Sequence, residues 1–263
     1  MIGKKNRKLN QLARLLPEGL LVDTSWLDVH GYRRQWREKY VAQGWLEGVV
    51  RGVYRRPSSA EEREIPWQRV VISLQALLEK PVHVGGRTAL DLHGLSHYLQ
   101  LSGNPTVHLY TFIPLPGWTQ RVPTDAKLIE HKGKRLFEPD APGVTQLEWG
   151  HWGWKLGVAT PERALCELLD ELPDRESFHQ ADVLMESART LSPRKVQVVL
   201  EACKSIKVKR LFLWFAERQD HAWFNRLDHG QIDLGRGKRQ IVAGGRYDPK
   251  YQITVPEVLD ASG

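Results

Sequence analysis

The sequence predicts an α+β protein: a small N-terminal helical unit closed by a β-ribbon, followed by a larger mixed α/β domain. Three short helical stripes and one glycine-broken run of β-branched and aromatic residues fit within residues 1–57. From residue 62 to 263 helical stripes and strand-like runs follow one another without an internal repeat. The charge divides in the same place. Residues 1–56 carry 12 Lys/Arg against 5 Asp/Glu, so the whole net charge of +7 lies in the first fifth of the chain. A basic excess confined to one segment points to a polyanion at one place.

Composition narrows the class. Of 263 residues 41% are hydrophobic and 26% charged, a globular balance and not a disordered one. No apolar run reaches 18 residues, so no transmembrane helix is expected. The basic N-terminus lacks an apolar segment and cleavage site, so no secretory signal is expected. Cys166 and Cys203 sit in Leu- or Val-rich helical segments. They read as buried thiols of a reducing compartment, and a cytoplasmic location is expected.

In the N-terminal unit, Leu9, Leu12, Ala13, Leu15 and Leu16 form a helical stripe over 5–16 that Pro17 and Gly19 end. Asp23-Thr24-Ser25 offers N-cap oxygens for a short helix through Trp26, Leu27 and Val29, stopping at Gly31. A third helix is expected from Tyr32 to Gln43, and residues 45–56 read as a two-stranded ribbon. Pro57-Ser58-Ser59 reads as a linker. This order is that of a winged helix-turn-helix.

The third helix supports the assignment. Tyr32, Trp36 and Tyr40 share one face, which can anchor the helix, while Arg34, Arg37 and Glu38 lie opposite with Arg33 flanking. In a major groove Arg33, Arg34 and Arg37 would meet guanine edges, and Gln35 or Glu38 adenine or cytosine. Lys39 would sit near phosphate, and Arg51, Arg55 and Arg56 would reach phosphate or minor groove from the wing.

In the larger domain a helix is expected over 65–78, and Gly85-Gly86-Arg87-Thr88 leads into another that Gly94 closes. Strands are expected over 106–113, 126–131 and 143–149. Thr160-Pro161-Glu162 starts a helix, with threonine as cap and proline at its first position. Helices follow over 177–190, 193–204 and 207–219, then tail strands over 240–243 and 251–255. Residues 194–263 carry a net +5, so Lys207, Lys209, Arg210, Lys238 and Arg239 form a candidate second basic surface.

The chemistry-bearing motifs are few. His93 and His97 have i, i+4 spacing, but Gly94 interrupts the helix that would aim both at one metal. HExxH and CxxC are absent. Gly85-Gly86-Arg87 resembles an anion cradle but lacks the companion residues of phosphate loops, and reads as a turn and cap. Trp149, Trp152 and Trp154 read as core or corner residues, and Glu162-Arg163 as a buried charge network. Gly235-Arg236-Gly237-Lys238-Arg239 reads as a hairpin tip, with phosphate or an acidic partner as the other reading. No catalytic residue, metal or cofactor is expected.

The chain resembles the AbiEi-type antitoxins of bacterial abortive-infection (type IV) toxin–antitoxin systems. The resemblance rests on the helix-turn-helix running into Arg51-Gly52-Val53-Tyr54, on Gly86-Arg87-Thr88-Ala89-Leu90-Asp91-Leu92-His93-Gly94-Leu95, and on Ala159-Thr160-Pro161-Glu162-Arg163-Ala164-Leu165-Cys166-Glu167-Leu168-Leu169, with Val107-His108-Leu109-Tyr110 between the last two. It covers roughly residues 5–220. It implies a transcriptional autorepressor that binds inverted repeats in promoter DNA as a monomer or dimer. It also implies a C-terminal antitoxin domain acting against a nucleotidyltransferase-like toxin, with direct contact left open and no membrane partner. The alternatives are a nuclease-like enzyme with a DNA-targeting module, or a repressor without an antitoxin role.

Overall fold

The computed structural model describes residues 2–58, 64–95, 105–150 and 153–257. The chain opens with α1 (Ile2–Leu15), β1 (Leu21–Asp23), α2 (Thr24–Val29), α3 (Arg34–Ala42), β2 (Glu47–Val50) and β3 (Val53–Arg55). Leu12, Leu16, Leu27, Tyr32, Tyr40, Leu46 and Val53 bury their side chains to make its core. The Asp23 carboxylate accepts the Trp26 N–H at 2.9 Å and caps α2, as the sequence predicts. Helix α3 begins later than its aromatic stripe suggests, because Arg33 is still extended at ψ 169°. Tyr32 nonetheless packs near Tyr40, with ring centroids 6.2 Å apart.

The ribbon has a strand the sequence does not announce. β1 pairs antiparallel with β3, giving the order β1-β3-β2. Three residues squeezed between a Pro/Gly turn and a helix cap are too few to show a strand's alternation. The wing turns at Arg51-Gly52, where Gly52 has φ +83°, a conformation that glycine reaches without steric cost. The unit is a winged helix-turn-helix.

The larger domain begins with α4 (Trp67–Ile72), which runs into a π-helical turn, Ser73–Leu77. Then come β4 (Val82–Val84), α5 (Gly86–Leu92), β5 (Thr106–Thr111), β6 (Lys127–Lys132), β7 (Val144–Trp149) and β8 (Trp154–Ala159). Helices α6 (Pro161–Asp170), α7 (Phe178–Ser187), α8 (Pro193–Ala202) and α9 (Ile206–Arg218) follow. The tail carries β9 (Arg239–Gln240), β10 (Arg246–Asp248) and β11 (Ile253–Val255). The main sheet has the order β6-β5-β4-β8-β7, with β5/β6 and β4/β8 parallel and the other pairs antiparallel. Glu162 to Leu169 of α6 and Val208 to Ala216 of α9 are buried without a break, so these two helices form the centre of the domain.

A hydrogen-bonded joint fixes the N-terminal unit to this domain. The Leu21 N–H donates to the Ser73 hydroxyl at 2.8 Å, and that hydroxyl donates to the Arg69 carbonyl at 2.6 Å. Within the larger domain, Ile65 bridges Thr124 and the Trp67 N–H donates to Asp125 at 2.8 Å. The loop over 113–126 is thereby tied to the start of α4.

Candidate nucleic-acid interface

Helix α3 is held by its aromatic face. Tyr32 and Tyr40 are buried, and the Tyr32 hydroxyl donates to the Lys8 carbonyl at 3.0 Å. Trp36 is half-buried, with the Lys8 and Lys39 ammonium groups 4.7 and 5.4 Å from its ring centroid. This leaves Arg33, Arg34, Gln35 and Lys39 exposed. The Arg34 side chain is 85% exposed and pairs with Glu38 one turn on, at 2.7 Å. Exposed pairs of this kind are worth little to stability, so Arg34 is free to exchange partners.

Arg37 differs. Its side chain is only 11% exposed, and its guanidinium donates to Asp28 of α2 and, at 3.1 Å, to the Tyr32 carbonyl. It fixes the angle between the two helices of the helix-turn-helix as well as adding charge to the surface.

Arg34, Arg37 and Glu38 form one wall of an open cleft of about 580 Å³; Thr24, Arg51, Gly52 and Tyr54 supply the wing side. Arg121, from the 113–126 loop of the larger domain, completes the lining. Four guanidiniums thus converge against one glutamate. Arg121 is exposed, and its turn is anchored by buried Trp118, whose carbonyl accepts the Arg121 N–H at 2.9 Å. Sequence reasoning missed Arg121 because a single arginine in a loop carries no local signal. Its place depends on the Ile65–Thr124 bridge.

Two wing arginines are corrected. Arg55 is buried and donates to Glu47 across the ribbon at 2.9 and 3.2 Å. Arg56 turns inward and donates to the Ala13 and Leu16 carbonyls, both at 3.1 Å, closing the C-terminal end of α1. Strand alternation sends Arg55 to the inner face of the ribbon, and half-buried Arg56 commits one guanidinium nitrogen to α1.

The second basic surface is corrected as well. Lys207 donates to the Asp170 carbonyl at 2.7 Å and to that of Leu172, at the end of α6. Burial, offset in part by Asp170, lowers its pKa. Lys209 and Arg210 are buried in α9. Only Lys238 and Arg239 of that set lie on the surface.

The two motif blocks around α5 and α6 meet inside the protein. The anion at Gly85-Gly86 is the Glu167 carboxylate of α6, which accepts the Gly86 N–H at 3.0 Å. A Cβ on Gly85 would stand 2.1 Å from a Glu167 oxygen, so only glycine fits. Glu167 also accepts from Arg163 at 3.0 Å and pairs with His83 at 2.7 Å. Burial opposes its charge, but His83, Arg163 and the Gly86 N–H together hold the carboxyl below its ordinary range.

This network is one end of a longer row. Arg163, Glu167, Glu171 and Arg175 recur every four residues along α6 and the turn after it. On the sheet the rings of His83, Tyr110, His131 and His108 stack in succession, with centroids 5.8, 4.6 and 5.1 Å apart. His131 pairs with Glu171 at 3.1 Å, and its other nitrogen lies 2.9 Å from Nδ1 of His108. Burial and the facing His131 pull the His108 pKa down to about 4. Glu167 and Glu171 of the helix row pair with His83 and His131 of the ring row, which marks the two rows as the clamp between α6 and the sheet.

The remaining motifs are half-buried where they are described. His93 donates to the Ala159 carbonyl at 2.9 Å, while His97 lies outside the described residues. Trp149 and Trp154 stack across the β7/β8 hairpin at 5.9 Å, and Trp152 lies outside the described residues. Among the described residues no group of three or more His, Cys, Asp or Glu is arranged to hold a metal, and no helix is long and apolar enough to cross a membrane.

Comparison with known proteins places this architecture. Residues 5–101 match the N-terminal domain of the transcriptional regulator described as AbiEi antitoxin, and residues 104–256 match the AbiEi antitoxin regulator of type IV toxin–antitoxin systems. The chain belongs to the AbiEi antitoxin family. The crystal structure of the RV2827C protein from Mycobacterium tuberculosis is similar in fold, with a TM-score of 0.57 at 14% identity, over 94% of this chain and 89% of that one. No curated protein matches the chain significantly. In this AbiEi protein the blocks around α5 and α6 form the interior clamp, and α3, the wing and Arg121 line an open cleft at the surface.

Proposed function

We propose that this AbiEi protein is a cytoplasmic DNA-binding autorepressor and antitoxin, without catalytic role or cofactor. Its N-terminal unit, residues 1–57, meets inverted-repeat promoter DNA, two protomers to an operator. Arg33, Arg34 and Gln35 face base edges, Lys39, Arg51 and Arg121 face phosphates, and Arg37 holds α3 at its angle to α2. The single observation that carries this reading is the cleft, where guanidiniums from the exposed helix face, the wing and the second domain converge.

The larger domain is proposed to counter a nucleotidyltransferase-like toxin encoded beside it. The family description, a regulator that is also an antitoxin, supports this half. The test is co-expression of the neighbouring toxin gene with the full chain and with a chain lacking residues 1–57. Growth restored by both fits the assignment of antitoxin action to the larger domain. Growth restored by neither contradicts the antitoxin role, and growth restored by the full chain alone contradicts that division of labour.

A further inference from the structure

The tail sheet presents a cluster of exposed cations. Arg236, Lys238, Arg239 and Arg246 are exposed, and among the described residues none lies within ion-pair distance of a carboxylate. The nearby acids are engaged elsewhere. Asp228, Asp233 and Asp248 accept the backbone N–H groups of Gly230, Gly235 and Tyr251 at 3.0, 2.8 and 2.9 Å. Glu217 is taken by Lys250 and by the Tyr251 hydroxyl. A solvated charged face ordinarily mixes both signs; here the carboxylates serve the turns and the cations remain.

The segment is also held rigid from below. The buried Arg210 guanidinium donates to the carbonyls of Leu234 at 2.8 Å, Gly237 at 2.7 Å and Gln252 at 3.2 Å, gathering the loop before β9 and the start of β11. Burial and then Arg239 lower the Arg210 pKa, so the protein keeps a cation beneath a cationic surface. Three carbonyls answer its charge, and the loop above is preorganised by it.

We propose that this tail sheet is a second polyanion-binding surface, and that its partner is the phosphodiester backbone of duplex DNA. Three of the four cations are arginines, whose planar fork matches phosphate. The neighbouring exposed residues are mostly small or polar, Gly235, Gly237, Gln240 and Ala243, and the large exposed ring beside them is Tyr247. Tyr247 is 39% exposed, but the Lys238 ammonium sits 5.0 Å from its ring centroid, so its face is no free platform for an unstacked base. The choice of duplex rests on the proposed DNA-binding role, since a chain held on DNA by its winged helix meets neighbouring duplex at high effective concentration.

The test is a salt series of anisotropy titrations with a non-operator duplex and the matching single strand. It uses the full chain, R236Q/R239Q/R246Q, R236K/R239K/R246K and R34A/R51A. The glutamine variant should bind duplex at least about tenfold more weakly at 0.1 M salt, with a slope of log K against log salt shallower by about 2 to 3. The lysine variant should recover most of that slope, which loss of fold alone would not allow. Duplex binding by the glutamine variant that equals wild type, while R34A/R51A is weakened, overturns this proposal and leaves the winged-helix reading standing. If neither variant changes binding, both readings fall. A loss confined to the single strand overturns the choice of duplex.

Discussion

At the residue scale, arginines of one chemical type hold unlike positions, and the difference is testable. Arg34→Ala removes an exposed side chain that pairs with exposed Glu38. Operator affinity should drop by about 1–3 kcal/mol with the melting temperature unchanged. Arg37→Ala should lower both, because the Asp28 contact and the Tyr32 carbonyl lose their donor. Arg55→Ala should cost about 1–3 kcal/mol of stability through the Glu47 pair. Melting curves beside anisotropy titrations separate the cases. An Arg37→Ala protein with wild-type melting would contradict the positioning role. The sequence shows that these arginines are numerous and basic in sum. It does not show which face of a three-residue strand each one takes, and so Arg55 and Arg56 read the same as Arg51.

At the element scale, the clamp between α6 and the sheet carries the stability. Glu167→Ala leaves His83 and Arg163 facing each other in a dry interior, and should cost about 3–5 kcal/mol in chemical denaturation. Gly85→Ala should fail for steric reasons, since the new methyl meets the same carboxylate. The row also sets the response to acid. His108 has its pKa lowered to about 4 by burial and His131, so between pH 6.5 and about 4 the unfolded chain takes up a proton that the folded chain refuses. Stability therefore falls as pH drops through that window, by at most about 3 kcal/mol from this group. Burial works against the charge of Glu167 and Glu171, yet their partners depress both pKa values, and their contribution is lost at still lower pH. His108→Asn should flatten the upper part of the melting-temperature profile. A variant profile that superimposes on the wild type would contradict this account.

Legibility in the sequence also differs by element. The cap of α2, the start of α6 at Thr160-Pro161 and the strands β5, β6 and β7 are readable because a capping residue, a proline at the first helical position and alternation are local signals, though the Thr160 side chain makes no capping hydrogen bond. The central strands β4 and β8 are not. β4 is three wholly buried residues after Pro81, and β8 contains Gly157, where Gln75 approaches. A strand buried on both faces has no alternation to show. The anion cradle at Gly85-Gly86 was legible as a turn, but its anion lies in another motif, far along the chain.

At the scale of the whole molecule, the proposed DNA surface belongs to two parts of the chain at once. The Leu21–Ser73 joint between the two parts, with the Ile65–Thr124 bridge holding the 113–126 loop, sets Arg121 against the wing cleft. R121A in the full chain should therefore bind operator more weakly than the unaltered chain, with a salt slope shallower by about 1 for the missing phosphate contact. Equal slopes for the full chain and R121A would remove the second domain from the cleft's role.

The measurement that bears most directly on the central claim is binding of the full chain to its own upstream DNA and to a scrambled duplex of the same length, over a salt series. The account predicts tight binding to the upstream sequence with a steep salt slope, and a preference over the scrambled duplex that R34A/R51A removes. Equal and weak binding to both duplexes, unaltered in R34A/R51A, would contradict it.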